Sequence, residues 1–167
     1  QNLNVLQPKK LKCPEFLSEL QSLNADLFVV VAFRMLPKEV WSMPQYGTFN
    51  IHGSLLPQYR GAAPINWAVM NGETKTGVTS FFIDENIDTG ATLLSKECEI
   101  DSNETVGDVH DKLMLLGAEL ATETCDAIFN DTIEAKTQPE STDLKKAPKL
   151  FKNNCKIDWS KSTIEIH

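Results

Sequence analysis

The sequence predicts an α/β fold around a parallel sheet, on the strength of three observations. Residues 27–32 form a continuous apolar run rich in β-branched side chains, typical of a strand covered on both faces at the centre of a parallel sheet. A helical pattern directly precedes this run, as in half of a βαβ unit. A second, longer helical pattern occupies residues 105–130. With 167 residues and 41% hydrophobic content, the chain suits one domain with a substantial core.

The first elements lead up to the predicted central strand. Residues 1–12 predict a short extended piece and a basic loop, in which Pro8 disfavours a helix. Pro14 suits the first turn of a helix, because the N–H groups of a first turn have no partner within the helix and proline has no N–H to lose. The apolar residues that follow recur at helical spacing: Phe16, Leu17, Leu20 and Leu23. Residues 24–26 end this helix directly before the strand.

The middle of the chain predicts a helix, a strand and a second helix. Residues 38–43 suit one short helix closed by Pro44, and residues 46–52 suit the next strand. Residues 62–71 predict a helix with Pro64 near its start and a glycine just past its end.

The second half of the chain predicts a hairpin and a long helix. Residues 77–83 and 91–100 have strand patterns, and the loop between them is short enough for an antiparallel hairpin. The helix over residues 105–130 begins with Thr105 and Asp108 at capping-box spacing. Beyond residue 130 the periodicity fades, and residues 138–148 predict a connecting segment that leaves the core.

Composition and charge argue against several classes of protein. No apolar run approaches the ~18 residues of a membrane span, and no basic region followed by an apolar core marks a signal peptide. A net charge of −7 argues against a nucleic-acid platform in the body of the chain, although residues 145–161 hold six lysines that could begin an anion-binding surface. The four cysteines lack metal-ligand spacing, so we expect reduced thiols at Cys13, Cys98, Cys125 and Cys155.

The most distinctive stretch is residues 49–64, which is polar and punctuated by glycine and proline directly after a predicted strand. Asn50 and His52 are two residues apart, so on an extended strand an amide and an imidazole project from one face toward the same substrate atom. Arg34 follows the predicted central strand, at the sheet edge where ligands bind in open parallel sheets. On local grounds alone, a turn-forming asparagine and a structural histidine are commoner. A surface ion pair explains Arg34 equally well.

Three motifs resemble those of the folate-dependent formyltransferases. The run Asn-Ile-His-Gly-Ser-Leu-Leu-Pro occupies residues 50–57, and Ile-Asp-Thr-Gly occupies residues 87–90. Residues 147–159 resemble the connection between the catalytic and carboxyl-terminal domains in the family members that formylate methionyl-tRNA. The resemblance covers nearly the whole chain but only the middle of the family's sequence. We therefore expect a fragment without the family's first strand–helix–strand portion and without its carboxyl-terminal β-barrel.

The resemblance implies a fold and a division into domains. The implied fold is a three-layer, mostly parallel Rossmann-like sheet with helices on both faces, lacking its N-terminal part. Residues 1–137 would form the incomplete catalytic domain, and residues 138–167 the linker to a carboxyl-terminal domain.

The resemblance also implies roles for individual residues, taken position by position. The family's catalytic asparagine, histidine and aspartate match Asn50, His52 and Asp88. The family's folate contacts match four residues of the following loop, Ser54, Leu55, Leu56 and Pro57. The edges of the family's pterin pocket match Arg34, Met35, Leu36 and Ile83.

These roles suit the chemistry of formyl transfer. Attack of an amine on the formyl carbon creates a tetrahedral intermediate with a negatively charged oxygen, which needs hydrogen-bond donors. The amide of Asn50 and a protonated His52 would supply them. Asp88 would favour the imidazolium by its opposite charge and relay a proton through water from the attacking amine to the leaving nitrogen.

The implied partners follow from the family. We expect 10-formyltetrahydrofolate as co-substrate, initiator methionyl-tRNA as acceptor, no metal, no membrane, a cytoplasmic location and a monomeric full-length protein. Two alternatives stay open. The acceptor could be an amino sugar nucleotide, glycinamide ribonucleotide or water, or the chain could be a folate-binding fragment without catalytic activity.

Overall fold

The computed structural model describes residues 3–32, 35–141 and 143–166. These residues form five helices: α1 (Pro14–Ser22), α2 (Lys38–Trp41), α3 (Pro64–Met70), α4 (Val106–Phe129) and α5 (Thr163–Ile166). They also form six strands: β1 (Phe28–Val30), β2 (Thr48–His52), β3 (Arg60–Gly61), β4 (Lys75–Phe82), β5 (Thr92–Glu99) and β6 (Lys146–Ala147). The predicted helices and strands over residues 14–130 are present, with ends that differ by a few residues.

The main sheet is mixed and has the strand order β1-β2-β4-β5. Strand β1 runs parallel to β2, whereas β2–β4 and β4–β5 are antiparallel, which confirms the predicted hairpin. Strands β3 and β6 pair in parallel as a separate two-stranded sheet. The register places Asn50 opposite Phe81 and His52 opposite Thr79, so the end of β2 lies against the middle of β4.

Helix α4 covers the main sheet and supplies three of the four buried residues of the central core cluster. Its start agrees with the predicted capping box, because the Thr105 hydroxyl accepts from the Asp108 N–H and the Asp108 carboxylate accepts from the Thr105 N–H. The central core cluster joins one strand residue to three helix residues: Val78, Val109, Leu113 and Leu120. This packing fixes β4, and through it the end of β2.

The position of β1 corrects one prediction. The apolar run of residues 27–32 predicted a central strand, but β1 lies at the edge of the sheet that the described residues form. Val29 is 46% exposed and Val31 63% exposed. The physical reason is that, among the described residues, no strand pairs with the second edge of β1.

The segment after α4 corrects a second prediction. Residues 138–148 were expected to leave the core, yet Gln138 and Ala147 are buried and β6 pairs with β3. Hydrogen bonds to loop backbones hold this segment in place, and such contacts leave no apolar periodicity in a sequence. The division of the chain into domains at residue 138 stays a prediction.

Two expectations from the sequence concern membrane-spanning helices and the state of the cysteines. Among the described residues, no helix has both the length and the apolar character that crossing a membrane requires. All four cysteines are free thiols in the structure.

Candidate active site

The end of β2 brings together the three predicted catalytic residues. Asn50, His52 and Asp88 are 4%, 6% and 8% exposed, and all three line one groove. The Nδ1 atom of His52 lies 3.8 Å from Oδ2 of Asp88. His52 and Asp88 are 36 residues apart in the sequence. The β4–β5 hairpin, whose loop carries Asp88, brings them together.

A backbone carbonyl sets the orientation of the His52 ring. Its Nε2 lies 2.9 Å from the carbonyl oxygen of Tyr59, which can only accept a hydrogen bond, so Nε2 carries a proton. This leaves Nδ1 as the ring nitrogen that faces Asp88. Nδ1 accepts a proton in the neutral ring and donates one in the imidazolium.

Two unusual backbone conformations hold the Asp88 carboxylate. Asp88 itself has a φ of 54°, in the left-handed region that aspartate tolerates better than most residues. Its Oδ2 accepts a hydrogen bond of 2.9 Å from the Gly61 N–H. Gly61 has a φ of 128°, and a Cβ there would lie 2.3 Å from the Ala147 carbonyl oxygen. Only glycine therefore permits the close pairing of β3 with β6 that presents this N–H.

Part of the Asn50 side chain is buried without a partner among the residues that the structure describes. Its Oδ1 has no hydrogen bond among the described residues. An amide oxygen and nitrogen exchange places when the side chain flips, so the amide as a whole has hydrogen-bonding capacity to spare. A buried polar group of this kind is costly unless a ligand satisfies it. Its position next to His52 makes it a candidate donor to a reacting atom.

The groove is large and partly apolar. It has a volume of about 1660 Å³, above the roughly 300–1,000 Å³ of a typical small-molecule site. Met35, Leu36 and Ile83 line it, and their place at the edges of a pterin pocket stays a prediction. Arg34 lies outside the described residues.

The predicted folate loop lies behind the groove and not on its described lining. The Ser54 hydroxyl donates to the Gln58 carbonyl at 2.6 Å, and the Thr79 hydroxyl donates to the Ser54 carbonyl at 2.7 Å. Thr79 also accepts from the Leu56 N–H. In this arrangement the loop supports the end of β2. Contact of Ser54, Leu55, Leu56 and Pro57 with folate stays a prediction.

Comparison with known families decides what this site belongs to. The family model described as formyl transferase matches residues 2–125, about three quarters of the chain. The chain belongs to the formyl transferase family.

Relatives and solved structures agree with this assignment. The chain is 59% identical over 165 residues to methionyl-tRNA formyltransferase of Flavobacterium psychrophilum, covering 99% of this chain and 52% of that protein. It therefore spans about half the length of the relatives it matches.

Two solved structures support the fold. The N-formyltransferase from Helicobacter canadensis, in complex with folinic acid and dTDP-3-aminofucose, is 30% identical, with a TM-score of 0.64 over 71% of this chain and 44% of that chain. HypX from Aquifex aeolicus in complex with tetrahydrofolic acid has a TM-score of 0.77 at 23% identity, over 92% of this chain and 27% of that chain. The predicted formyltransferase fold is confirmed.

Sequence reasoning missed a polar cluster behind the His52 ring. The Tyr59 hydroxyl donates to the Glu73 carboxylate, which also pairs with the Lys145 ammonium. Lys145 holds the pKa of Glu73 below its ordinary value, and the Tyr59 hydroxyl adds to this effect. Burial raises the pKa of Tyr59, and its bond to Glu73 raises it further. The cluster anchors the residue whose carbonyl orients His52.

No spacing rule could have found this cluster. Residues 59, 73 and 145 lie on three separate segments, and none of them belongs to a periodic pattern. Gln138, which contacts the Asp88 backbone, was missed for the same reason. A second histidine, His110, is exposed on α4 and bonds to Asp111.

Proposed function

We propose that the whole protein transfers the formyl group of 10-formyltetrahydrofolate to the amino group of initiator methionyl-tRNA. The observation that carries this proposal is the 59% identity to a methionyl-tRNA formyltransferase across 99% of the chain. The buried triad of Asn50, His52 and Asp88 supports it independently, because formyl transfer needs oxyanion donors and a proton acceptor in one place. The same assignment implies a cytoplasmic enzyme that acts as a monomer in translation initiation.

The groove fits a folate co-substrate. Met35, Leu36 and Ile83 offer an apolar surface for a flat heterocycle, and the unsatisfied amide of Asn50 lies in the same groove. The N-formyltransferase from Helicobacter canadensis, 30% identical to this chain, carries folinic acid, which supports a folate donor for this chain as well.

The reaction begins when the amino group of the acceptor attacks the formyl carbon. A new C–N bond forms and the carbonyl electron pair moves onto oxygen. The Asn50 amide and a protonated Nδ1 of His52 donate to this oxyanion. The Asp88 carboxylate, 3.8 Å from Nδ1, stabilises the positive charge on the ring.

The intermediate then collapses toward products. The electron pair returns from oxygen, the bond between the formyl carbon and N10 of the folate breaks, and N10 takes up a proton. The attacking nitrogen, positively charged after attack, gives up one proton. Asp88 accepts this proton through water and returns it to N10, so that atoms and charge balance without a metal. Among the described residues, no group of three His, Cys, Asp or Glu side chains could hold a metal ion.

The basic segment favours a polyanionic acceptor. Lys149 lines the groove, and the lysines of residues 145–161 continue away from it. Because the chain as a whole has a net charge of −7, this lysine-rich segment is the natural place for phosphate groups to bind. An amino sugar nucleotide also carries phosphates, so the acceptor needs a direct test.

The test measures transfer of a labelled formyl group from 10-formyltetrahydrofolate by the full-length protein. Methionyl-tRNA, an amino sugar nucleotide and glycinamide ribonucleotide are offered as acceptors, and donor hydrolysis is measured without acceptor. We expect transfer to methionyl-tRNA, lost by about 10²–10³-fold in Asn50→Ala. Asn103→Ala, at an exposed asparagine outside the described lining of the groove, is the matched control. Transfer only to another acceptor, or hydrolysis alone, would overturn the proposal.

A further inference from the structure

Gln138 makes four hydrogen bonds with its side-chain amide. Its Nε2 donates to the carbonyl oxygens of Asp88 at 3.0 Å and Gly90 at 2.7 Å. Its Oε1 accepts from Nε and Nη2 of Arg60 at 2.9 and 2.6 Å. The residue is 6% exposed and lies beyond the region that the family model matches, which ends at residue 125.

These bonds join the two segments that hold the Asp88 carboxylate. Arg60 precedes Gly61, whose N–H donates to Oδ2 of Asp88. The carbonyls of Asp88 and Gly90 belong to the loop that carries this carboxylate. Gln138 therefore closes a ring of contacts that runs from the loop, through its own amide, to β3 and back to the carboxylate.

The loop needs such a contact, because its backbone is unusual. Asp88 has a left-handed φ of 54°, a conformation that persists only where the surroundings hold it. At Gly90 a Cβ would lie 1.6 Å from the Phe82 carbonyl oxygen, so the loop also passes very close to β4. Without the two hydrogen bonds that Gln138 donates, the carbonyls of Asp88 and Gly90 would lose these partners. The peptide planes of the loop would then be free to rotate.

We propose that Gln138 is a positioning residue that fixes the Asp88 carboxylate in front of Nδ1 of His52. It acts through Asp88 and not on the substrate, because it does not belong to the described lining of the groove. The part of this inference that concerns rate rests on the proposed formyl transfer. The part that concerns geometry does not.

The choice of glutamine follows from the bonds. Methionine fills a similar volume but offers neither donors to the loop carbonyls nor a strong acceptor for Arg60. Glutamate keeps the acceptor for Arg60, but it places an oxygen against the carbonyls of Asp88 and Gly90. Both substitutions release the loop, whereas only the first also releases Arg60.

The experiment uses the full-length protein with Gln138→Met, Asp88→Asn and the double variant. We expect Gln138→Met to lower kcat by about 10–100-fold, with the KM for the folate donor changed less than about twofold, because small misplacements of a reacting group cost rate. In the Asp88→Asn background, Gln138→Met should cost nothing further, since the group it positions is already lost. Additive losses would overturn the inference.

Thr124→Val is the matched control for a purely structural role. Thr124 is fully buried and its hydroxyl bonds to Ser80 and to the Leu120 carbonyl, but it does not belong to the described lining of the groove. We expect this variant to lower Tm and leave kcat within about twofold. If Gln138→Met behaves in the same way, Gln138 is structural only. If Gln138→Met does not fold, Gln138→Glu decides by the same criteria.

A second readout needs no activity. Hydrogen exchange of the Gly61 N–H reports its bond to Asp88 directly. We expect it to accelerate at least about tenfold in Gln138→Met relative to slowly exchanging amides of α4, and to stay unchanged relative to them in Thr124→Val. Unchanged protection would overturn the inference. If the wild type transfers no formyl group to any acceptor, the proposed function fails, and this exchange measurement alone still decides the role of Gln138.

Discussion

The two walls of the groove are built in opposite ways. In the wall formed by the end of β2, the Asp88 loop and β3, the side chains of Asn50, His52 and Asp88 are buried, and hydrogen bonds hold His52 and Asp88 in place. The wall that follows β1 is apolar and open, with Val31 63% and Met35 66% exposed. The polar wall is therefore organised before any ligand binds, whereas the apolar wall gains its contacts only from a ligand or another covering group. The difference predicts that changes in the first wall cost rate and changes in the second cost affinity.

The largest effect should come from the polar wall at His52. His52→Ala removes a donor to the oxyanion, so we expect kcat to fall about 10²–10³-fold, or about 2.7–4 kcal/mol, with little change in the KM for the donor. His110→Ala is the control, because its exposed ring also lines the groove but bonds to Asp111 instead of Asp88. Steady-state kinetics of the full-length variants measure both. Equal losses of kcat in the two variants would contradict the predicted difference between the two walls.

An intermediate effect should appear behind the polar wall at Glu73. This carboxylate holds Tyr59 and Lys145, so Glu73→Gln should lower the free energy of unfolding by about 1–2 kcal/mol at pH 7. The ion pair adds little to this figure, because Lys145 is half exposed and solvent screens its charge. The pKa of Glu73 is depressed in the folded state below its ordinary value of 4.5. Its contribution is therefore complete above pH 4.5 and lost as the pH falls through the folded value.

Urea unfolding of the wild type and of Glu73→Gln at several pH values tests this sign. The difference between the two proteins should be largest near neutral pH and shrink in acid. A difference that grows below pH 4.5 would contradict the proposed role of the carboxylate.

The smallest effect should come from the apolar wall at Met35. Met35→Ala removes apolar contact area that only a bound ligand can cover, so we expect the KM for the folate donor to rise a few-fold, or about 0.5–1 kcal/mol, at unchanged kcat. Met70→Ala, an exposed methionine at the end of α3 outside the described lining of the groove, is the matched control. A large loss of kcat in Met35→Ala would show that the open wall also takes part in organising the reaction.

Local signals in the sequence predicted most of the fold. The capping box of Thr105 and Asp108 located the start of α4, and the short loop between two strand patterns predicted the β4–β5 hairpin. The spacing of Asn50 and His52 placed both side chains on one face of β2, and both line the groove. Each of these signals acts within a few residues of chain, where backbone geometry alone decides the outcome.

Two predictions failed where the deciding contacts are long-range. A continuous apolar run indicates burial but not which strands will pair with it, so β1 was expected at the centre and lies at the edge of the described sheet. Residues 138–148 carry no periodicity because hydrogen bonds to distant backbones hold them, and they were expected to leave the core.

By itself, the sequence determined helices α1–α4 and strands β1, β2, β4 and β5, the positions that match the family's catalytic residues, and the placing of Asn50 with His52 on β2. Only the tertiary structure decided which groups hold those residues in place. The Tyr59 carbonyl orients His52, the Gly61 N–H holds Asp88, and Gln138 joins the Asp88 loop to β3. The physical reason is that these contacts depend on backbone atoms, which every residue carries and which no sequence pattern distinguishes.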